Sequence, residues 1–357
     1  MWQFYLPFFI LAASLAFTSI ASKYFREDYK KSVDLTIEGL RGLACILVFI
    51  NHSSVIFSKQ LGIENHQLGL LGSFGVQIFF CITGFLFAGK IKKGNIDINY
   101  FASRIKRLAP LYIFVSTLIL AYFLVLFNDK FIFSRDWYAI ITQIYGFGFF
   151  GSGISLPGFK TQALNVITWT LPYEWKLYAI VPFIGFLYSL RMMRKVLFLI
   201  ALISIFHSMY YGGYIIWSYF LIGFTCSYIP QKTGSKIKYN VFFSILLVSL
   251  IAYYYFSSHE TYDMKSLFIV AVIFSICIYS KPRFLSFKPL AYIGTISYGV
   301  YLSHQLIIHA SLQLYHFITG AWSVKTNLSL LVLLSMIMIL SLIVSRLMYL
   351  FIEKRYM

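Results

Sequence analysis

An arginine and a histidine share one apolar stretch near the start of this chain, GLRGLACILVFINH, residues 39 to 52. On a helix, the eleven-residue step from Arg41 to His52 returns to nearly the same face and separates the two by about 16 Å along the axis. A neutral imidazole can take a proton from a hydroxyl, and a guanidinium offers a planar fork of donors suited to phosphate. One helix face can therefore bind an anion at one end and move a proton at the other. Glu38 stands about 21 Å from His52 by the same rise, so its natural partner is Arg41, three residues on.

Three further groups carry chemistry. Arg104 and Arg107, in YFASRIKRLAPLYIF, are three apart and point the same way at a helix start, an arrangement that suits a diphosphate; taken alone, a plain topology signal explains them as well. In TWTLPYEWKLYAIVP, Glu174 enters an apolar helix from the outer side, with Trp169 and Tyr173 at headgroup level and Tyr178 one turn below the acid. An aromatic belt explains the rings without function, and the acid is harder to dismiss. In LAYIGTISYGVYLSHQ, Ser297 and His304 lie in a late apolar run, where a lone histidine is more often a packing residue. His309 does not share the face of His304, so no helical metal pair is expected.

What must position these residues is a membrane. Of 357 residues, 59% are hydrophobic and 12% charged, with a mean hydropathy of +0.76. Such a composition describes an all-α polytopic membrane protein. Eleven apolar runs near bilayer length fall at about 3–21, 40–57, 70–88, 108–127, 173–190, 196–211, 214–229, 241–256, 266–280, 290–312 and 328–351. The net charge of +18 would suggest nucleic acid in a soluble protein, but here the basic residues crowd alternate connections, from Lys23–Lys31 to Lys354 and Arg355. By the positive-inside rule these connections are cytoplasmic, the N-terminus outside and the C-terminus inside.

Residues 1 to 21 lack a basic leading region and read as an anchor, giving an N-terminal anchor and basic linker over 1–34 and a main membrane domain over 35–357. Residues 137–151 are apolar, yet a crossing there would reverse every later basic loop, so residues 128–172 read as one external segment whose apolar part re-enters or lies on the surface. GFGFFG, residues 146–151, matches a dinucleotide motif in spacing only, with no strand before it. Cys45, Cys81, Cys226 and Cys277 lie unpaired inside apolar runs and indicate neither disulfides nor a metal.

Taken in order, these stretches resemble the acyltransferase 3 family of integral membrane acyltransferases. The matching pieces are Glu38-Gly39-Leu40-Arg41-Gly42 leading to His52; Phe79-Phe80 with Thr83-Gly84-Phe85; Arg104 and Arg107 before Pro110 and Tyr112; Thr168 to Leu171 with Glu174 and Tyr178; and Ile296-Ser297-Tyr298 with Tyr301, Leu302 and His304. The resemblance implies a ten-helix core, here preceded by one added helix. It implies transfer of an acyl group, usually acetyl, from cytoplasmic acyl-CoA to a hydroxyl of a bacterial surface glycan such as lipopolysaccharide O-antigen, capsule or peptidoglycan, at the inner membrane. Carried over by position, it makes His52 the catalytic base; Arg41, Arg104 and Arg107 the residues of acyl-CoA binding; and Glu174 with Tyr178 support for the acceptor, with Glu38, Trp169, Ser297 and His304 supporting. No metal is implied. The family's terminal acid is usually followed by proline, whereas Glu353 precedes Lys354. Direct transfer and an acyl-histidine intermediate both fit. A transporter or flippase for a glycan or acyl-bearing substrate, with no bond chemistry, is the competing reading.

Overall fold

A computed structural model describes the chain except residues 1, 25–32, 62–65, 95–98, 132–136, 151–154, 157–158, 161–165, 191, 211–215, 231–236, 258–259, 322–325 and 357. Much of the basic linker and of the basic connection at 232–238, and part of the external segment, lie outside the described residues. Those described form α1 (Trp2–Tyr24), α2 (Leu35–Leu61), α3 (His66–Lys92), α4 (Asn99–Phe131), α5 (Trp137–Tyr145), α6 (Leu171–Ser189), α7 (Met193–Tyr210), α8 (Ile216–Cys226), α9 (Ile237–Phe256), α10 (Met264–Ser280), α11 (Lys288–Thr295), α12 (Ser297–Thr319) and α13 (Asn327–Phe351). A two-residue antiparallel pair, Ser155–Leu156 with Phe159–Lys160, is the sole β structure among the described residues.

Among the described residues, four helical spans are both long and apolar enough to cross a bilayer: Leu35–Ser54, Leu68–Lys92, Tyr100–Leu126 and Leu328–Tyr356. Shorter apolar helices cover Tyr5–Ala21, Ile216–Cys226, Val241–Phe256 and Met264–Ser280. Large apolar side chains such as Phe8, Val125, Phe183, Phe198, Val241 and Phe317 stand exposed on these and neighbouring helices. Surfaces of that kind meet lipid, and the chain is an all-helical, multi-pass membrane protein.

The chain divides into two units. The first comprises Met1–Ile96, Phe183–Ser297 and Lys325–Ser335. Within it α2 packs against both α3 and α11. The glycines of the first motif permit close contact with α11 and the turn before it: a Cβ at Gly39 would lie 1.6 Å from the Leu285 carbonyl oxygen in that turn, and one at Gly42 2.2 Å from that of Leu290 in α11. Small residues are how membrane helices bring backbones this close. Asp34 fixes the start of α2, accepting from the Thr36 N–H (3.0 Å) and from Lys281 Nζ (2.8 Å).

A buried polar network ties the rest of this unit together. Tyr254 Oη donates to Gln77 Oε1 (3.1 Å), Gln77 Nε2 donates to Ser266 Oγ (3.4 Å), and Ser266 Oγ meets Tyr219 Oη (2.9 Å). These side chains come from α3, α8, α9 and α10, and all four residues are fully buried. Asp263 caps α10 through its Oδ1, which accepts from the Ser266 N–H at 2.7 Å.

The second unit comprises Asp97–Pro182, Tyr298–Val324 and Met336–Met357. Its core is a row along α4, namely Leu111, Tyr112, Val115, Ile119 and Phe123, packed with Ile140 and Ile144 of α5, Leu171, Leu302 and Met348. The near-helical repeat of that row presents one continuous face. At nine residues α5 is about 14 Å long, too short to span a bilayer. It folds back along α4, its end held where Tyr112 Oη and Ser116 Oγ both donate to the Ile144 carbonyl (2.8 and 3.0 Å). In the turn that follows, the Phe147 N–H donates to Tyr112 Oη (3.1 Å) and its ring stacks on Tyr112 at 4.0 Å. Gly148 takes φ +80° there, and a Cβ on it would lie 2.0 Å from the Thr168 carbonyl oxygen, so glycine is required twice over.

Candidate active site

In the first unit, Arg41 and Glu38 form the expected i,i+3 pair at 3.3 Å, with side chains 21% and 17% exposed. One turn on, Cys45 lies within electrostatic reach of Arg41, and its Sγ meets the Ser297 carbonyl oxygen at 3.9 Å. Ser297 therefore sits beside α2 just beyond the arginine. His52 is half-buried on the same helix. Its neighbour Asn51 is received by α3, where a Cβ on Gly72 would come within 2.4 Å of the Asn51 side chain. In the sequence Asn51-His52-Ser53 matches a glycosylation sequon by chance, and the polar Asn-His-Ser-Ser run after an apolar stretch is the signal that this part of α2 is not lipid-facing all round.

In the second unit, a charged cluster gathers about the start of α4. Arg104 lies over the Tyr100 ring at 5.3 Å and within electrostatic reach of Tyr178. Tyr178 Oη donates to Glu174 Oε2 at 2.9 Å. Tyr298, whose Oη donates to the Leu108 carbonyl (3.0 Å), has Glu174, Glu353 and Arg107 within electrostatic reach. Glu353 arrives from the terminal turn Glu353–Tyr356, which packs on α4, and is 2% exposed. Two arginines, two glutamates and three tyrosines thus share one end of an otherwise apolar unit.

This arrangement differs from the sequence expectation in one respect. The sequence sets Glu174 at the outer end of its helix and Arg104 at the cytoplasmic end of another. Phe101 and Trp175 meet with ring centroids 6.1 Å apart, so the first turns of α6 lie against the first turns of α4, and Glu174 shares a cluster with Arg104. The cause is the folding back of α5: the chain has already run part-way down α4 before α6 begins. Trp169 meets Tyr173 edge-on at 6.3 Å, and its neighbour Thr170 bonds Tyr301 Oη through Oγ1 at 2.7 Å.

His304 is 1% exposed, and its Nδ1 lies 3.0 and 2.8 Å from the carbonyl oxygens of Val300 and Tyr301. Nδ1–H donates to these carbonyls, which leaves Nε2 as the acceptor of the neutral ring. Further along α12, His309 Nδ1 meets Tyr122 Oη at 2.8 Å. Among the described residues no group of three His, Cys, Asp or Glu side chains is placed to hold a metal ion, and all four cysteines are buried thiols.

Charged and titratable side chains within a helical membrane protein, in each of the two units, are features of a functional site rather than of a lipid-facing surface. The family model for the acyltransferase domain matches residues 34–346, and the chain belongs to that family. It is an integral membrane acyltransferase. ORF330 of Acidianus two-tailed virus, provisionally named an acetyltransferase, is 28% identical over 301 residues, 78% of this chain and 84% of the viral protein. The peptidoglycan O-acetyltransferase OatA of Listeria monocytogenes serovar 1/2a is 25% identical over 334 residues, 78% of this chain and half of that relative's length. No solved structure matches the chain.

Proposed function

We propose that the protein moves an acetyl group from cytoplasmic acetyl-CoA to a hydroxyl of a bacterial surface glycan. The cluster about Arg104, Arg107, Glu174, Tyr178, Tyr298 and Glu353 carries this reading, because paired guanidiniums beside carboxylates at one end of an apolar unit suit an ionic substrate. The names of the two relatives, one a peptidoglycan O-acetyltransferase, support an acetyl donor and a glycan acceptor.

Arg41, Arg104 and Arg107 bind the phosphates of the donor. Glu174 and Tyr178 belong with Arg104 on the donor side. His52 takes the proton of the acceptor hydroxyl as its oxygen attacks the thioester carbonyl, and returns that proton to the departing CoA sulfur, so the reaction needs no external acid or base. Glu38 orients Arg41, while Trp169, Ser297 and His304 support the surrounding helices. Residues 1–34 form an anchor and linker ahead of an acyltransferase region at 35–357. Eleven spans, a ten-helix core with one added, set the N-terminus outside and the C-terminus in the cytoplasm of a bacterial inner membrane. The test is incubation of the purified protein in nanodiscs with acetyl-labelled CoA and peptidoglycan or O-antigen fragments. Label in an alkali-labile ester on the glycan is the expected result; movement of glycan across the membrane without thioester loss would replace the reading with a transporter.

A further inference from the structure

The end of the second unit that carries Arg104 also carries two aromatic side chains the reading above leaves unused. Phe101, one turn before Arg104 in α4, is 37% exposed, and its ring meets Trp175 of α6 edge-on, with centroids 6.1 Å apart and planes at 73°. Trp175 is held from two other directions by edge contacts with Phe147 (5.3 Å) and Tyr178 (5.7 Å). Phe147 is in turn stacked on Tyr112, so the tryptophan wall is fixed by the core of the unit. The two rings meet at nearly a right angle, Trp175 braced by its neighbours and Phe101 at the surface.

Beside these rings stand the guanidiniums. Arg104 is about 4.5 Å further along α4 than Phe101, and Arg107 the same distance again. A flat heteroaromatic base can stack on one ring while presenting its edge to the other, and phosphates attached to it then fall to the arginines. An aromatic belt at the membrane surface is the plain alternative. Headgroups and acyl chains, however, have no planar face to match two such rings that adjoin paired guanidiniums.

Resting on the assignment of Arg104 and Arg107 to donor phosphates, we propose that Phe101 and Trp175 form the subsite for the adenine ring of acyl-CoA. The protein then recognises its donor as a free nucleotide thioester, and a phosphopantetheine arm carried on an acyl-carrier protein is a poor substitute because it has no base.

The experiment compares kcat/KM for three donors in nanodiscs: acetyl-CoA, acetyl-3′-dephospho-CoA, which keeps the base, and acetyl-4′-phosphopantetheine, which lacks the adenosine portion. For the wild-type protein, both adenine-bearing donors should exceed acetyl-phosphopantetheine by on the order of tenfold or more. Phe101→Leu and Trp175→Leu should bring the ratio of acetyl-3′-dephospho-CoA to acetyl-phosphopantetheine toward one, while Phe101→Tyr and Trp175→Phe, which retain a flat face, should keep it. An undiminished ratio in both leucine variants, or equal use of acetyl-phosphopantetheine by the wild-type protein, would overturn the subsite and leave the rings as an aromatic belt. Absence of transfer from every thioester in the wild-type protein would instead overturn the donor assignment on which the subsite rests.

Discussion

Tyr178 and Glu174, one turn apart in α6, are joined by a 2.9 Å hydrogen bond, and Arg104 of α4 reaches the same phenol electrostatically. The three side chains therefore lie together where α6 meets α4. Removing the phenol with Tyr178→Phe leaves the carboxylate without that donor, and Glu174→Gln removes charge from beside Arg104. In a double-mutant cycle read as kcat/KM for acetyl-CoA, the two substitutions should be coupled by about 0.5–3 kcal/mol. Strict additivity would mean that the pair does not share a role.

His52 is half-buried on the helix that also bears Arg41. If His52 is the base, as proposed, its replacement should lower kcat by roughly 10²–10⁴-fold while donor binding persists. His52→Ala should still bind acetyl-CoA in an equilibrium assay in nanodiscs and show no labelled ester. Full turnover by that variant would remove His52 from the mechanism.

Much of this was legible in the residues because membrane architecture is written in composition. Apolar runs gave a multi-pass helical protein, and Arg41 and His52 both lie on α2, the helix the sequence assigns them to. The path of the segment after Phe131 was harder. The alternation of basic loops argues against a crossing at the apolar residues 137–151, but the return of α5 along α4 depends on where Tyr112 and Ser116 hydrogen-bond, and no periodicity encodes that. For the same reason the sequence does not show that Glu174 shares a cluster with Arg104. Glu353 and Tyr298 were visible as motif residues, yet only the folding of the terminal turn onto α4 joins them to Arg107. The Gln77 network was missed for a related reason: single polar residues in four separate runs carry no shared spacing.

Arg104 and Arg107 distinguish a binding role from a topology role. Arg104→Lys keeps the charge and hence the positive-inside signal, but loses the planar fork that grips phosphate. The variant should insert normally and show a several-fold higher KM for acetyl-CoA, with kcat less affected. An unchanged KM would assign the arginine to topology alone.

The buried network of Gln77, Tyr219, Tyr254 and Ser266 should contribute stability without chemistry. Interhelical hydrogen bonds of this kind in membrane proteins contribute about 0.6 kcal/mol on average and up to ~1.7. Tyr219→Phe and Tyr254→Phe should each lower Tm modestly in detergent, with the KM for acetyl-CoA unchanged. A large shift in KM would show that the network reaches the substrate.

The sharpest structural prediction concerns glycines that look equivalent in the sequence. Gly39 and Gly42 of α2 face the backbone of the 285–294 segment, where an added methyl would collide with carbonyl oxygens at 1.6 and 2.2 Å, and backbone cannot rotate aside as a side chain can. Gly89, inside α3, has nothing within 4 Å of its virtual Cβ. Gly39→Ala or Gly42→Ala forces the helices apart and should cost on the order of 1–3 kcal/mol, as overpacking does. Gly89→Ala only restricts the unfolded chain and improves helix propensity, so it should be neutral or stabilising by up to about 1 kcal/mol. Thermal unfolding of the three variants, followed by size-exclusion fluorescence, gives the comparison. The opposite order, with Gly89→Ala the most damaging, would contradict the packing of α2 on α11, and with it the placement of Arg41.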